Sequence, residues 1–177
     1  MKVNRHLLFV LLITGMLVIT CQKTFAQSSE PKNIRDYFLI LPDKYAGIAK
    51  AERQEYLSNA SPVIDLANGY MAYQESAESK TAIALFKKPD KSYIVGISFS
   101  GSIINKKTED IEDISTLSFL RYDNGKWIDV TREVLPVAIN KALLYELPRQ
   151  GTTIIVTNGS GKQVYNLLWK NGKFVVQ

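Results

Sequence analysis

The densest group of reactive side chains in the sequence is Glu109-Asp110 with Glu112-Asp113, four carboxylates within five positions. Hard cations such as calcium are held by carboxylate and carbonyl oxygens, which makes this segment the candidate for one. Its spacing is not that of a calcium loop. No Asp-x-Asp-x-Asp-Gly frame is present, and Lys106-Lys107 just upstream balance the charge as on a solvated loop. Carboxylates also work in pairs as acid and base, as in glycoside hydrolysis, where two of them flank the scissile bond at a set distance. Asp65, Glu75 and Asp129, on or beside expected strands, and Asp113 are the acids available for such a cleft. Gly159-Ser160-Gly161-Lys162 resembles the end of a phosphate loop, but Val156 stands where that motif needs its first glycine. Gln163 stands where it needs Ser or Thr, so the segment reads as a hairpin turn. Asn158-Gly159-Ser160 matches a glycosylation acceptor, which matters only in a host that modifies it. No spacing here defines a site, so no catalytic, cofactor-binding or metal-ligating residue is assigned and no cofactor is expected.

Cys21 and His6 are the only cysteine and the only histidine, and both precede residue 27. Lys2 and Arg5 lie ahead of or beside an apolar run from Leu7 to Thr20, and no acidic residue occurs before Glu30. This is the layout of a signal peptide over 1–26, with Thr24-Phe25-Ala26 as the cleavage site and Gln27 as the new N-terminus. A membrane-crossing helix needs about 20 apolar residues, so the run is too short for a permanent anchor, and no transmembrane segment is expected after cleavage. A lipoprotein anchored through Cys21 is the alternative, disfavoured by the β-branched Thr20 before the cysteine.

Removing residues 1–26 from the 177 leaves 151, the length of one domain, with 19 basic and 17 acidic residues. Such a balanced surface lacks the concentrated basic field that nucleic acid or anionic membrane requires, so no nucleic acid partner is expected. Without imidazole or thiol, the remaining chain has no Ser-His-Asp triad, no Cys-His pair and no ligands for a structural zinc. It has no disulfide either, and burial alone must hold the fold.

The elements that would position any site follow from spacing. Residues 27–33 read as a flexible leader, and 34–177 as a single domain. Ile34, Tyr37, Phe38 and Leu41 lie at i, i+3, i+4, i+7, which predicts a short helix stopped by Pro42. A second helix is expected over about 48–57, where good helix formers precede the breakers Ser58 to Pro62. From Val63 the chain turns to short β-branched and aromatic runs divided by turns. Asn68-Gly69, Asn124-Gly125 and Asn171-Gly172 predict tight type I′ hairpins, Pro89-Asp90-Lys91 joins 81–87 to 92–100, and Asn158 to Gly161 joins 152–157 to 163–170. Tyr93, Val95, Ile97 and Phe99 alternate with smaller or polar Gly96, Ser98 and Ser100, which predicts a half-buried strand. Leu135, Ala138, Ile139, Ala142 and Leu143 share one helical stripe, with Pro136 in its first turn and Pro148 after its end, which predicts a third helix. The order is two helices, six strands, a helix and three strands. This is an α+β fold, an antiparallel sheet of about nine strands in successive hairpins with its helices on one face.

Trp127, Trp169, Tyr122, Tyr70 and Tyr73 crowd the hairpins, where cross-strand aromatic pairs are expected to stabilise the sheet before they serve any ligand. Leu120 to Trp127 and Leu167 to Phe174 share the pattern Leu, x, aromatic, x, Asn-Gly-Lys, aromatic. Convergence on the same turn chemistry explains this better than duplication.

The leader ending in Thr24-Phe25-Ala26 before Gln27, the segment Ile34 to Tyr45 and the tail Leu147–Lys173 resemble uncharacterised exported proteins of Bacteroidetes-type bacteria. That resemblance implies a periplasmic or secreted location and carries over no activity and no functional residues. The expectation for function is a non-catalytic domain that binds a protein, peptide or glycan of the cell envelope through a sheet face or hairpin tips. The alternative is a carboxylate-dependent hydrolase of cell-wall or dietary glycans.

Overall fold

A computed structural model describes residues 30–74, 76–104 and 111–177. The segment expected to be a signal peptide, with His6 and Cys21, the expected leader up to residue 29, Glu75, Glu109 and Asp110 lie outside the described residues.

Helix α1 (Ile34–Ile40) begins where the Asn33 side chain accepts hydrogen bonds from the amides of Arg35 and Asp36 at 2.9 and 3.2 Å. It ends before Pro42, which holds Leu41 extended at ψ 142°. Its apolar stripe, Ile34, Tyr37, Phe38 and Leu41, is buried as the spacing requires. A one-turn helix that the spacing did not indicate, α2 (Asp43–Ala46), follows and is closed by Gly47 at φ +65°. Helix α3 (Arg53–Asn59) starts about five residues later than the composition suggested. The delay has a cause in Arg53, whose side chain reaches back from the first position of α3 to main-chain oxygens on both sides of α2.

Six antiparallel strands follow: β1 (Val63–Asp65), β2 (Tyr70–Tyr73), β3 (Ser79–Lys87), β4 (Tyr93–Ile104), β5 (Ile111–Asp123) and β6 (Lys126–Asp129), each beside the next. Four more, β7 (Leu143–Glu146), β8 (Thr153–Asn158), β9 (Gln163–Lys170) and β10 (Lys173–Val176), form a separate sheet in the order β10-β9-β8-β7. The α+β class and the antiparallel pairing stand, with ten strands in two sheets where about nine in one were expected. Asn124-Gly125 and Asn171-Gly172 have positive φ at both residues, the type I′ signature. Asn68-Gly69 differs. Only its glycine is left-handed, because Asp65 pairs with Tyr70 and leaves a four-residue loop in which Asp65 accepts the Asn68 amide at 3.2 Å.

The predicted helix over Leu135 to Leu143 is not formed. The only helical turn there is α4 (Thr131–Val134), and Leu143 already belongs to β7. Pro136 forces Leu135 into extended backbone, ψ 134°, and the apolar stripe is used differently. Leu135, Ile139 and Leu143 pack singly against the core between the sheets.

Alternation explains the layering. Along β2 and β3, Met71, Tyr73 and Ile83 face α1 and α3, whereas Tyr70, Ala72, Ala82, Ala84 and Phe86 face the second sheet. On β4 and β5, Val95, Ile97 and Leu120 join the helical side, and Ile94, Leu117 and Phe119 the other. Helices α1 to α3 occupy one face, but α4 does not: its Val134 is buried in the core between the sheets. The opposite face, expected to be open, is covered by the four-stranded sheet, so Gly96 and Ser98 are buried. A Cβ at Gly96 would lie 2.7 Å from the Phe86 ring and 2.9 Å from that of Phe119, so glycine is required for these rings to meet.

Candidate functional site

The inner face of the six-stranded sheet changes chemistry along its length. Under β9 and β10 it is aromatic. Phe86 packs against Trp169 and Phe174 at ring-centroid distances of 5.4 and 5.1 Å, and Phe119 meets Phe174 at 4.9 Å. Toward the far ends of β3, β4 and β5 the same face becomes polar. Ser98 opposes Ala82 and Leu117, Lys80 and Ser115 flank Ser100 in the next row, and Ser102 opposes Asp113.

Here the strand of the second sheet that packs on β4 and β5 is β7. The Ser98 hydroxyl, buried, donates to the main-chain oxygen of Tyr145 at 2.5 Å and fixes that strand over the row. Past this contact lies a cleft of about 450 Å³, floored by Lys80, Ser100, Asp113 and Ser115 and bordered by Lys141 and Leu144. It adjoins a smaller cavity of about 250 Å³ beside Tyr70, Ser98 and Tyr145. Ser102 donates to Asp113 Oδ1 at 2.7 Å, which holds that carboxylate at one end of the floor.

Ser115 is the informative member. It is 1% exposed, it lines the cleft, and its hydroxyl has no hydrogen-bond partner among the described residues. A buried hydroxyl without a partner costs about 1–3 kcal/mol, and native folds rarely keep one without a use. Neither this serine row nor Lys80 was singled out from the sequence. The available signal was the run of alternating serines 98, 100 and 102, which read as the open face of a half-buried strand.

Among the described residues the acids selected from the sequence do not assemble into a pair. Asp65 is on β1 and Asp129 on β6, the two edges of a six-stranded sheet, roughly 24 Å apart at the usual strand spacing. Each is committed to the fold. Asp65 accepts from Asn68 and from Arg149 at 3.0 Å, and those bonds hold its carboxyl below the usual range. Burial alone would raise Asp129, but hydrogen bonds from the Thr131 amide at 2.9 Å and the Tyr45 hydroxyl at 3.0 Å outweigh it and lower the pKa. Of Asp65, Asp113 and Asp129, Asp113 alone lines the cleft, and Glu112 is a backbone position on β5. Among the described residues no group of three potential metal ligands is present.

The aromatic residues serve packing. Trp169 donates to the Lys87 carbonyl at 2.8 Å within the inter-sheet core, and Tyr73 donates to the Ala46 carbonyl at 2.7 Å. Half-buried Trp127 donates to the Ile40 carbonyl at 2.9 Å and packs on Tyr37 and Tyr122, joining the β5–β6 hairpin to α1. Arg53, which counted in the sequence only as a helix former, is fully buried. It donates to the carbonyls of Ile48 and Phe38 at 2.9 and 3.0 Å, to that of Leu41, and to Asp43 at 2.5 Å. Burial pushes its pKa down and Asp43 pulls it back up. It satisfies the C-terminal carbonyls of α1. A groove of about 1120 Å³ beside α4 is larger than the cleft, but Asp129, its acid nearest the sheet, is spent on Thr131 and Tyr45.

No family model matches the chain, and no curated protein does. Among solved structures it is similar to a domain of an uncharacterized protein from Porphyromonas gingivalis W83, with a TM-score of 0.55 over 81% of this chain and 97% of that one. The two share a fold. At 12% identity the likeness carries no residue correspondence and no activity. It gives the Bacteroidetes-type resemblance a structural counterpart, itself uncharacterized, and says nothing of export. Among the described residues no helix is long and apolar enough to cross a membrane, a statement that leaves β-barrels aside.

Proposed function

We propose that this chain is a non-catalytic binding domain of the cell envelope, periplasmic or secreted, whose ligand lies in the polar cleft between the sheets. The observation that carries the reading is the buried, unpartnered Ser115 hydroxyl in a row with Ser100 and Lys80. Such a row offers donors and acceptors to a polar ligand. The separation of Asp65 from Asp129 and the lack of imidazole and thiol beyond residue 26 support binding over catalysis.

The test uses the full chain expressed with its own leader in a Gram-negative host. Peptide and glycan arrays are probed with the wild type and with Ser100→Trp, which fills the cleft from a half-buried position. Ligands held by the wild type and lost by a variant of unchanged melting temperature support the reading. Equal capture by both proteins places the ligand elsewhere, and release of cleaved products makes the domain an enzyme. Intact mass of the exported protein reports its processing: a chain starting at Gln27 is expected, and a diacylglyceryl adduct on Cys21 would replace the signal peptide with a lipid anchor.

A further inference from the structure

Given that the cleft is the binding site, its charges narrow the ligand. Four charged side chains line it, Lys80 and Lys141 with Glu78 and Asp113, all of them exposed. Among the described residues none of the four pairs with another, the ion pairs there being Arg53–Asp43, Lys88–Asp90 and Arg149–Asp65. Two signs of charge therefore share one cleft without neutralising each other.

The register sets their spacing. Lys80, Ser100 and Ser115 form one row across β3, β4 and β5, and Asp113 stands two residues farther along β5 opposite Ser102. With strands about 4.8 Å apart and a rise of about 3.3 Å per residue, the Cα atoms of Lys80 and Asp113 are roughly 12 Å apart. An extended tripeptide spans about 10 Å between its ends, which suits side chains reaching inward from that separation. The Ser102 hydroxyl holds one Asp113 oxygen at 2.7 Å, and the other has no protein donor among the described residues. Between the charged ends lie Ser100, half-buried, and Ser115, whose hydroxyl has no partner among the described residues. Peptide amides would occupy such hydroxyls. A glycan fits less well, since among the described residues no aromatic side chain lines the 450 Å³ cleft to stack on a sugar ring.

We infer that the cleft binds a short peptide of about three residues with both termini free, its carboxylate held by Lys80 and its ammonium by Asp113. The class is that of peptide fragments released by hydrolysis of longer chains.

The probe is trialanine, titrated into the full chain expressed with its own leader and followed by amide chemical shifts and calorimetry. Saturable shifts at Lys80, Ser100 and Ser115 are expected at micromolar to millimolar concentration. N-acetylation or C-amidation of the tripeptide should each weaken binding by roughly tenfold or more, the size of one lost charge-assisted hydrogen bond. Lys80→Met should erase the penalty for amidation, and Asp113→Asn that for acetylation. Both positions are exposed, and the capped ligands test the claim without any variant. Trialanine that fails to bind, or that binds equally when capped, overturns the inference. If a neutral trisaccharide shifts the same amides instead, the binding-domain reading stands and the peptide falls; if a broad panel of neither kind moves them, both fall.

Discussion

Two halves of one sheet face behave differently although the same three strands, β3, β4 and β5, build them in one continuous register. In the aromatic half Gly96 makes room for Phe86 and Phe119, and the rings close under Trp169 and Phe174. In the polar half Ser98 finds the Tyr145 carbonyl while Ser115, two strand positions beyond the Leu117 that faces Ser98, finds no partner among the described residues. A strand serine belongs to the fold when the opposing layer brings it a partner. Where that layer stops, it becomes a candidate for binding.

The comparison breaks most visibly at Phe119. Phe119→Ala should lose roughly 3–5 kcal/mol, since it opens a cavity between the sheets, whereas Ser100→Ala in the polar half should stay within about 0.5 kcal/mol of wild type. Urea denaturation of both variants measures the contrast. A Phe119 variant as stable as Ser100→Ala would mean that the sheets are not packed through these rings.

Next in size are the turns that deliver aromatic residues to the two sides of the central sheet. Gly172→Val and Gly125→Val place a β-branched residue at φ +85° and +81°, which should destabilise each by roughly 1–3 kcal/mol. The Gly172 variant should disturb Phe174 and the inter-sheet core, and the Gly125 variant Trp127 and its bond to Ile40. Tryptophan fluorescence resolves the two, because Trp169 and Trp127 sit on different sides.

Smaller but more pointed is a pair of serine substitutions. Ser98→Ala should lose about 1 kcal/mol with its hydrogen bond, whereas Ser115→Ala should gain about as much by removing a buried hydroxyl that has no partner. Melting temperatures moving in opposite directions would sharpen the contrast. Loss in both would mean that Ser115 is bonded and serves the fold.

The smallest effect concerns the acids that proved structural. Asp65 and Asp129 have pKa values lowered on folding, so the stability they add is complete above the ordinary carboxylate value of about 3.9 and is lost as pH falls through their depressed values. Melting temperature should therefore drop on acidification below about pH 4, and Asp129→Asn should make that drop shallower. An unchanged slope would show that the bonds from Tyr45 and Thr131 do not favour the ionised form.

The sequence by itself determined what depends on neighbours along the chain. The α1 stripe from Ile34 to Leu41, the two Asn-Gly turns and the antiparallel hairpins are set by local periodicity and by which residues tolerate positive φ. The absence of histidine and cysteine after residue 26 is likewise a property of composition alone. Tertiary structure decided everything that depends on what lies across a gap. Leu135 to Leu143 reads as a helical stripe until Pro136 and a neighbouring strand compete for it, and β8 wins Leu143. Arg53 reads only as a helix former until carbonyls on both sides of α2 converge on it. The serines on β4 look solvent-facing because alternation reports that two faces differ, not what covers either of them. Only the second sheet, arriving from residues 143–176, decides that Ser98 is bonded while Ser115 has no partner among the described residues.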